Sequence, residues 1–309
     1  MNISIVAEGG GVRGAYVCGV MCALWMEYGL RRVDVATGTS ASAGTLAYFT
    51  AGHGHRDAWD VWTKEVASPE FISVRNLLRL RPLMDLDHLI DVVFRYRYPL
   101  DVAAIKRSSM RLFIPVESVT TGKIEYIDAQ RSPYDVFEIL KASSAAPIAY
   151  NKTIALGGDR YCDPYFNEAV PLGAPALART KKIIILAKPR THELAVESNV
   201  AIHLGRPFIS SAVYRTMLHS GKHRNALMEQ CKTLEEEGHI VIAPEHLYGS
   251  ALGNRPESLR YMIRRGYQDA VAHGPLRALV EDLCRSPKRS AYFDSDNLAP
   301  IRPSFMDTV

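Results

Sequence analysis

The chain has 309 residues, of which 47% are hydrophobic and 23% charged, and it carries a net charge of +4. This is the composition of an ordinary globular protein, long enough for one large domain or two small ones. The small positive charge does not indicate a nucleic-acid partner, although it is compatible with an anionic membrane surface. The five cysteines form no CxxC pair, which argues against a disulfide framework and a zinc ribbon.

The N-terminal residues, MNISIVAEGGG, lack the basic start and the long apolar run of a signal peptide. The longest apolar runs, such as IIILA at 183–187, are far shorter than a membrane span. Scattered free cysteines are typical of a reducing compartment. We therefore expect a cytoplasmic protein that can make peripheral membrane contact, and no pattern in the sequence indicates an oligomeric state.

Strands and helices alternate in the first part of the chain. ISIVA (3–7) is a short apolar run ended by glycines, which predicts a buried strand, and GAYVCGVMCALWMEYG (14–29) has helical spacing. A second strand is predicted at 33–37 and a second helix at 40–52. This alternation predicts parallel pairing in an α/β sheet.

Residues 55–98 are predicted to be mostly helical. Arginine and leucine alternate in RNLLRLR (75–81), which would suit a basic amphipathic patch on a phospholipid surface. We favour a solvated helix whose arginines extend to solvent, because Pro82 limits the helix and such charge patterns are common.

The rest of the chain is predicted to contain two strands in 110–129, a helix at 134–144, a hairpin at 154–165, a buried strand at 181–188, helices at 210–236 and 256–283, and a strand at 239–243. We expect one domain over residues 1–285, with a catalytic core at about 1–190 and a mainly helical part at about 191–285. A polar tail is predicted at 286–309.

A glycine-rich loop, EGGGVRG (8–14), lies between the first strand and the first helix. Glycines let the backbone approach a ligand, and the amides at a helix N-terminus face an anion, so the loop suits either a phosphate or an oxyanion. Gly9, Gly11 and Gly14 match G-x-G-x-x-G. However, Asp34 precedes a strand where the dinucleotide fold has an acid at a strand end, and no P-loop motif occurs. Arg13 adds a positive charge to the loop, or forms a structural ion pair.

A second turn, VATGTSASAG (35–44), connects a strand to a helix and offers two serines. In a nucleophile elbow the serine lies at the tip of a tight strand-to-helix turn. Gly38 makes the turn, which puts Ser40 at the tip, whereas Ser42 falls in the first helical turn on a different side of the axis. We favour Ser40 as the nucleophile over Ser42, and the structural alternative for Ser40 is a helix N-cap.

A nucleophilic serine needs a base, and none of the ten histidines lies in a convincing catalytic signature. Histidines 192, 203, 219 and 223 all lie in or near polar helical stretches and are interpreted as surface residues.

Three stretches, taken in order, resemble the motifs of the patatin-like phospholipases, in particular their bacterial branch. EGGGVRG resembles the family's oxyanion loop, which usually has Asp where Glu8 stands, and GTSAS (38–42) resembles its elbow. ASSAAPIAY (142–150) followed by RYCDPYFNEAVP (160–171) resembles the segment that supplies the catalytic acid. With EEEGHIVIAPE and LRYMIRRGYQDA further on, the resemblance spans residues 3 to about 270.

The resemblance implies a three-layer α/β fold with a mainly parallel central sheet flanked by helices. It implies a serine acyl hydrolase that acts on a phospholipid or lysophospholipid through a Ser40–Asp163 dyad, with no catalytic histidine, no metal and no cofactor. The elbow would comprise Gly38 and Ser42 around Ser40. The implied oxyanion loop is Gly9, Gly10, Gly11, Arg13 and Gly14.

This sequence departs from the family's pattern at two places. Ser42 replaces the second glycine of the elbow, and Pro164 and Tyr165 follow Asp163. Asp159 in GGDRY is a rival carboxylate, which we interpret as a turn residue. The alternative functions are a catalytically weakened lipid-binding or interaction module and, less favoured, a phosphate- or nucleotide-binding protein.

Overall fold

The computed structural model describes residues 1–78, 81–192, 203 and 206–293. The strands are β1 (Ile3–Ala7), β2 (Val35–Gly38), β3 (Arg111–Ser118), β4 (Ile124–Asp128), β5 (Ile154–Leu156), β6 (Asp159–Cys162), β7 (Lys181–Ile185) and β8 (Ile240–Ile242). The α-helices are α1 (Gly14–Met26), α2 (Ala41–Thr50), α3 (His55–Asp60), α4 (Val74–Leu78), α5 (Val102–Arg107), α6 (Val136–Ser144), α7 (Ser211–Leu218), α8 (Ser220–Glu236), α9 (Pro256–Ala272), α10 (Gly274–Arg285) and α11 (Arg289–Tyr292).

The strands form one sheet in the order β5-β6-β3-β2-β1-β7-β8, with β4 also paired to β3. Strand β1 pairs in parallel with β2 and β7, and the outer pairs β2–β3 and β7–β8 are parallel too. The hairpin strands β4, β5 and β6 pair in the antiparallel sense. The predicted α/β fold with a mainly parallel central sheet is therefore confirmed.

Both faces of the sheet are covered, which gives the three layers. Ile3 and Ile5 of β1 pack into a large core that includes α1 and α9. Val6 of the same strand points the other way, into a smaller core with Leu227 and Cys231 of α8. Strands buried on both faces need continuous apolar runs rather than alternation, and this explains sequences such as ISIVA and KKIII.

Helix α1 is buried on nearly all sides because it lies between the sheet and α9. Two glycines allow this close crossing: a Cβ on Gly19 would lie 2.0 Å from the Ile263 carbonyl oxygen, and a Cβ on Gly266 would lie 2.1 Å from that of Tyr16. The C-terminal helices thus belong to the same packed body as the N-terminal strands.

Residues 55–98 are less regular than predicted. Helix α3 continues into a π-helical turn at Val61–Glu65, α4 has only five residues, and a second π-helical segment covers His88–Arg97. Within the RNLLRLR stretch, residues 75–78 belong to α4 and Arg81 is not helical, while residues 79 and 80 lie outside the described part of the chain. No helix among the described residues is long and apolar enough to cross a membrane.

The first residues of the predicted polar tail pack against the body of the protein. Tyr292 and Phe293 are buried, and Phe293 forms a β-bridge with Leu30. The tail residues 294–309 lie outside the described residues. The boundaries of the predicted catalytic core and helical part remain predictions.

Candidate active site

The glycine loop and the elbow lie side by side because they follow adjacent parallel strands. Ala7, the last residue of β1, is in register with Gly38, the last residue of β2. The carboxyl ends of parallel strands are where α/β proteins place their sites. The two motifs, about thirty residues apart in sequence, therefore meet at one edge of the sheet.

Ser40 holds the conformation expected of a nucleophile elbow. Its φ of 57° and ψ of −128° are rare for a residue with a side chain, and its hydroxyl caps no helical amide. A Cβ on Gly38 would lie 2.9 Å from Leu46 and 3.0 Å from the backbone of Ser42, so the turn needs glycine there. The N-cap alternative for the Ser40 side chain is thus wrong.

Ser42 faces away from Ser40 and is fully buried. Its hydroxyl donates a hydrogen bond of 2.6 Å to the carbonyl oxygen of Glu8. The serine that replaces the elbow's second glycine therefore ties helix α2 to the start of the glycine loop.

The glycine loop leaves two amides available. The N–H of Gly9 donates to the carbonyl of Ala169 and that of Val12 to the carbonyl of Ala251, both at 2.9 Å. Within the described part of the chain the N–H groups of Gly10 and Gly11 donate to no acceptor, and both residues line the cavity described below. Such unused amides in a cavity suit a developing negative charge.

The other residues of the loop have structural contacts. The amide of Gly14 is used within the helical turn at the start of α1, and the guanidinium of Arg13 donates to the carbonyl of Gly249 at 3.2 Å. Ala41, which sequence reasoning missed, also lines the cavity and has an amide with no acceptor among the described residues. Its position directly after Ser40 was the available signal, because that amide commonly completes an oxyanion hole.

Asp163 lies immediately after β6 and lines the same cavity as Ser40. Burial raises the pKa of Asp163 to about 7, although hydrogen bonding to the Ser40 side chain and the Tyr165 amide acts in the opposite direction. The ASSAA segment holds both groups, since Ser143 Oγ accepts from the Ser40 amide at 3.2 Å and Ala145 O accepts from the Asp163 amide at 3.1 Å. A carboxylate with a pKa near neutrality can accept a proton from a hydroxyl.

Pro164 and Tyr165 do not turn Asp163 out of the cavity. Pro164 is the first residue of a short 3₁₀ turn, where its missing N–H is not needed, and Asp163 Oδ1 caps that turn by accepting from the Tyr165 amide at 2.9 Å. Tyr165 lines the cavity, and its hydroxyl accepts a 2.6 Å hydrogen bond from Lys188 Nζ.

Lys188 belongs to a buried ion cluster beneath the glycine loop. Glu8 Oε1 accepts from Lys188 Nζ at 2.8 Å and from Arg224, and Glu8 Oε2 accepts from the Ala187 amide at 2.8 Å. Burial alone would raise the pKa of Glu8, but the two cations and these hydrogen bonds keep it below its ordinary value. Glu8 is therefore ionised, and it anchors the start of the loop.

A second buried carboxyl group, missed in the sequence, lies near Asp163. Glu117 of β3 is 1% exposed and pairs in register with Cys162, the residue before Asp163. Burial raises the pKa of Glu117 to about 8, and the negative charge of Asp163 adds to the rise, while Thr216 opposes it. Its Oε1 has no hydrogen-bond partner in the described part of the structure.

The rival groups lie elsewhere. Asp159 accepts hydrogen bonds from Ser118 at 2.5 Å and Thr120 at 2.6 Å next to the β5–β6 turn, and it does not line the cavity. No histidine among the described residues lines the cavity either. The described residues also contain no group of three or more His, Cys, Asp or Glu side chains placed to hold a metal ion.

A deep apolar cavity of about 440 Å³ extends from Ser40, Asp163 and the glycine loop. This volume is in the usual range for small-molecule sites, about 300–1,000 Å³. Its wall is almost entirely hydrophobic and includes Tyr48, Val61, Trp62, Val66, Phe71, Ile72, Met84, Leu86, Leu89, Ile90, Phe94 and Leu140. The irregular segments between residues 55 and 98 supply much of this wall, so they build the cavity and not the sheet.

Comparisons with known proteins identify the family and the fold of the chain. The model of the family described as Patatin-like phospholipase matches residues 5–176. The chain is 28% identical over 200 residues to "Uncharacterized protein YjjU" of Escherichia coli (strain K12), which covers 60% of this chain and 51% of YjjU. It thus spans about half the length of that curated relative. VipD from Legionella pneumophila shares the fold, with a TM-score of 0.53 at 12% identity over 90% of this chain and 67% of VipD.

Proposed function

The chain belongs to the patatin-like phospholipase family, and we propose that it is a serine-dependent lipid acyl hydrolase of the phospholipase A or lysophospholipase type. One observation carries the proposal. Ser40, in its constrained elbow conformation, shares an apolar cavity with Asp163 and with three amides that have no acceptor among the described residues.

In the proposed reaction Asp163 accepts the hydroxyl proton of Ser40 as Ser40 Oγ attacks the ester carbonyl carbon. The carbonyl oxygen becomes an oxyanion, which the amides of Gly10, Gly11 and Ala41 stabilise. When the tetrahedral intermediate collapses, Asp163 returns the proton to the departing alkoxide, and the acyl group remains on Ser40. Asp163 then deprotonates a water molecule that attacks the acyl-enzyme, and Ser40 regains its proton as the fatty acid leaves.

The apolar cavity supports a long acyl chain as the part of the substrate that is buried. Its wall is almost entirely hydrocarbon, whereas Ser40, Asp163 and the glycine loop supply polar groups to it. We therefore expect the ester carbonyl to bind at the glycine loop and the alcohol part of the lipid to extend toward solvent. A phospholipid or lysophospholipid is the substrate class we propose, together with peripheral contact to a lipid surface.

The first test is an assay of the purified protein on a medium-chain p-nitrophenyl ester and on a lysophospholipid. Ser40→Ala and Asp163→Asn are expected to abolish hydrolysis, and Ser40→Ala also labelling by a fluorophosphonate probe. Ser42→Ala is expected to remain active but to lose stability, because it removes a buried hydrogen bond worth about 1–3 kcal/mol. Circular dichroism checks that each variant is folded.

Two results would contradict the proposal. Loss of activity in Ser42→Ala with activity retained in Ser40→Ala would place the nucleophile two residues later. No turnover and no probe labelling in the wild-type protein would favour a lipid-binding module without catalysis.

A further inference from the structure

Four short stretches of the chain meet at the mouth of the apolar cavity, where lining residues reach solvent. Ile72 forms a β-bridge with Met84, and the Met84 amide donates to the Ala149 carbonyl at 2.9 Å. On the opposite side, the Asn254 side-chain amide donates to the Ile72 carbonyl at 3.3 Å and to two other carbonyls of the preceding stretch, residues 66–68. These bonds make the stretches 72–74, 83–84, 148–149 and 251–254 one continuous surface around the opening.

Apolar side chains on this surface point into solvent. Val74 is 73% exposed, Leu252 is 39% exposed and Ile148 is 37% exposed. Leu252 and Ile148 also line the cavity, so their side chains stand where its wall reaches the surface. We call Val74, Ile148 and Leu252 the rim. Exposed apolar groups that continue the wall of an apolar cavity mark a contact surface.

The backbone of Ile148 gives independent support. Its φ of 75° is a genuine outlier for a β-branched residue, because the left-handed region crowds a branched Cβ. Strain of this kind persists only where the surrounding structure holds it in place, and it is common at functional sites. Here it is maintained at an exposed position, where packing alone does not demand an isoleucine.

Positive charge flanks the rim. Arg75 follows Val74, Arg255 lies three residues after Leu252, and both are exposed. Neither forms an ion pair within the part of the chain that the structure describes. Other nearby cations are paired: Arg81 Nη1 lies 3.7 Å from Asp85 Oδ2. Arg97 and His88 both pair with Glu70. Unpaired arginines beside an apolar edge favour an anionic surface.

We propose that the rim docks the protein on an anionic lipid surface, with the cavity mouth facing the lipid so that an acyl chain can pass from the surface to Ser40. The proposal rests on the proposed function for its choice of a lipid partner. The apolar rim side chains enter the interface region, and Arg75 and Arg255 contact the anionic head groups.

The test measures binding without turnover, in the Ser40→Ala background, by co-sedimentation with phosphatidylcholine vesicles that contain or lack phosphatidylglycerol. Val74→Ser combined with Leu252→Ser is expected to weaken binding by about tenfold or more, since it removes most of the apolar insertion. Tyr96→Ser is the matched control, because Tyr96 is 77% exposed but does not line the cavity. Equal binding by the rim variant and this control would overturn the proposal.

Ile148→Asn separates docking from folding. Asparagine tolerates positive φ far better than isoleucine, so this variant is expected to melt at or above the wild-type temperature while it loses vesicle binding. Retained binding would contradict the role of Ile148.

Arg75→Glu combined with Arg255→Glu is expected to abolish the preference for vesicles that contain phosphatidylglycerol, and an unchanged preference would count against the charged flank.

The docking proposal and the proposed function can be disproved independently. Val74→Ser, which lies outside the cavity, is expected to hydrolyse a soluble short-chain ester at the wild-type rate and vesicle lipid more slowly. Wild-type protein that hydrolyses the soluble ester but does not sediment with any vesicle would overturn the docking proposal alone. Protein that binds vesicles through the rim but hydrolyses no ester would overturn the proposed function alone.

Discussion

The backbone of Ser40 is strained at the point where its side chain lines the cavity. A residue with a side chain in a sparsely populated φ/ψ region costs about 1–3 kcal/mol, and such strain is common at active sites. The turn can hold it because Gly38 lets the helix approach the strand and because Ser42 and Ser143 bond the chain on either side.

This strain predicts a difference between two inactive variants. Ser40→Gly removes the Cβ that causes it, whereas Ser40→Ala retains the Cβ, so we expect the glycine variant to be more stable by about 1 kcal/mol. Replacing another residue with glycine normally destabilises a folded protein, so a gain in stability for Ser40→Gly would be informative. Chemical denaturation of both proteins measures the difference, and a less stable glycine variant would show that Ser40 is not strained.

The raised pKa of Asp163 predicts the pH dependence of activity. Because Asp163 must be ionised to accept the proton of Ser40, kcat/KM for a soluble ester is expected to rise tenfold per pH unit below about 7 and then level off. Ionisation of Glu117, whose pKa is about 8, is expected to add a second, smaller change to the wild-type profile near pH 8. Glu117→Gln is expected to leave a single transition, and a wild-type midpoint near pH 4 would contradict the assignment of Asp163 as the base.

Unlike activity, the free energy of unfolding is expected to fall as the pH rises. The folded pKa of Asp163 lies above its ordinary value of 3.8, so its contribution to stability is complete below about pH 4 and is lost as the pH rises through 7. Asp163→Asn removes this loss. Above pH 7 we expect the free energy of unfolding of this inactive variant to exceed that of the wild type by up to about 4 kcal/mol. At pH 5 the difference should be much smaller, and urea unfolding measures both. If the stability difference between the two proteins does not depend on pH, folding does not raise the pKa of Asp163.

Among the elements, the glycine loop depends on a distant loop for its shape. Ala251, between β8 and α9, accepts the Val12 amide, and a Cβ on Gly11 would lie 2.5 Å from the Ala251 carbonyl oxygen. Gly249 accepts from Arg13. Residues more than 230 positions away thus help to fix the backbone that carries the amides of Gly10 and Gly11.

Gly11→Ala tests this arrangement. The added methyl group must displace the Ala251 carbonyl, and we expect kcat to fall by about 100-fold or more because oxyanion donors move. Gly52→Ala is the control, since Gly52 has a similar φ of +78° but nothing within 4 Å of its would-be Cβ. Steady-state kinetics on a soluble ester measure kcat for both variants. Equal kcat values would contradict the role of the loop.

Local sequence was sufficient for much of this description. Short apolar runs and turn residues predicted the strands and the hairpin at 154–165, and the elbow at Gly38–Ser42 is itself a local pattern. The contacts of Ala251, Glu117 and Arg224 with the site arise from tertiary packing, which no local pattern specifies. The π-helical segments were missed because their apolar spacing resembles that of an ordinary helix.

At the scale of the whole molecule, the buried ion cluster joins three distant parts of the chain. Glu8 at the end of β1 bonds to the Lys188 amide, 180 residues away, and to Arg224 of α8, 216 residues away. Arg224 also donates to the carbonyls of His192 at 2.7 Å and Pro189 at 2.8 Å. Segments beyond the family-matched residues 5–176 therefore hold the glycine loop in place.

Glu8→Gln tests how much of the fold depends on this cluster. The substitution is nearly isosteric, but it leaves Lys188 and Arg224 buried together without a negative charge, so we expect a loss of about 3–5 kcal/mol in the free energy of unfolding. The matched control is Glu235→Gln, which breaks a partly exposed pair with Arg190 and should cost about 1 kcal/mol or less. The double variant Glu8→Gln with Lys188→Met is expected to recover part of the loss, because only one buried cation, Arg224, then lacks a carboxylate partner. Equal losses from the Glu8 and Glu235 variants in urea unfolding would show that the cluster does not hold the N-terminal loop to the later part of the chain.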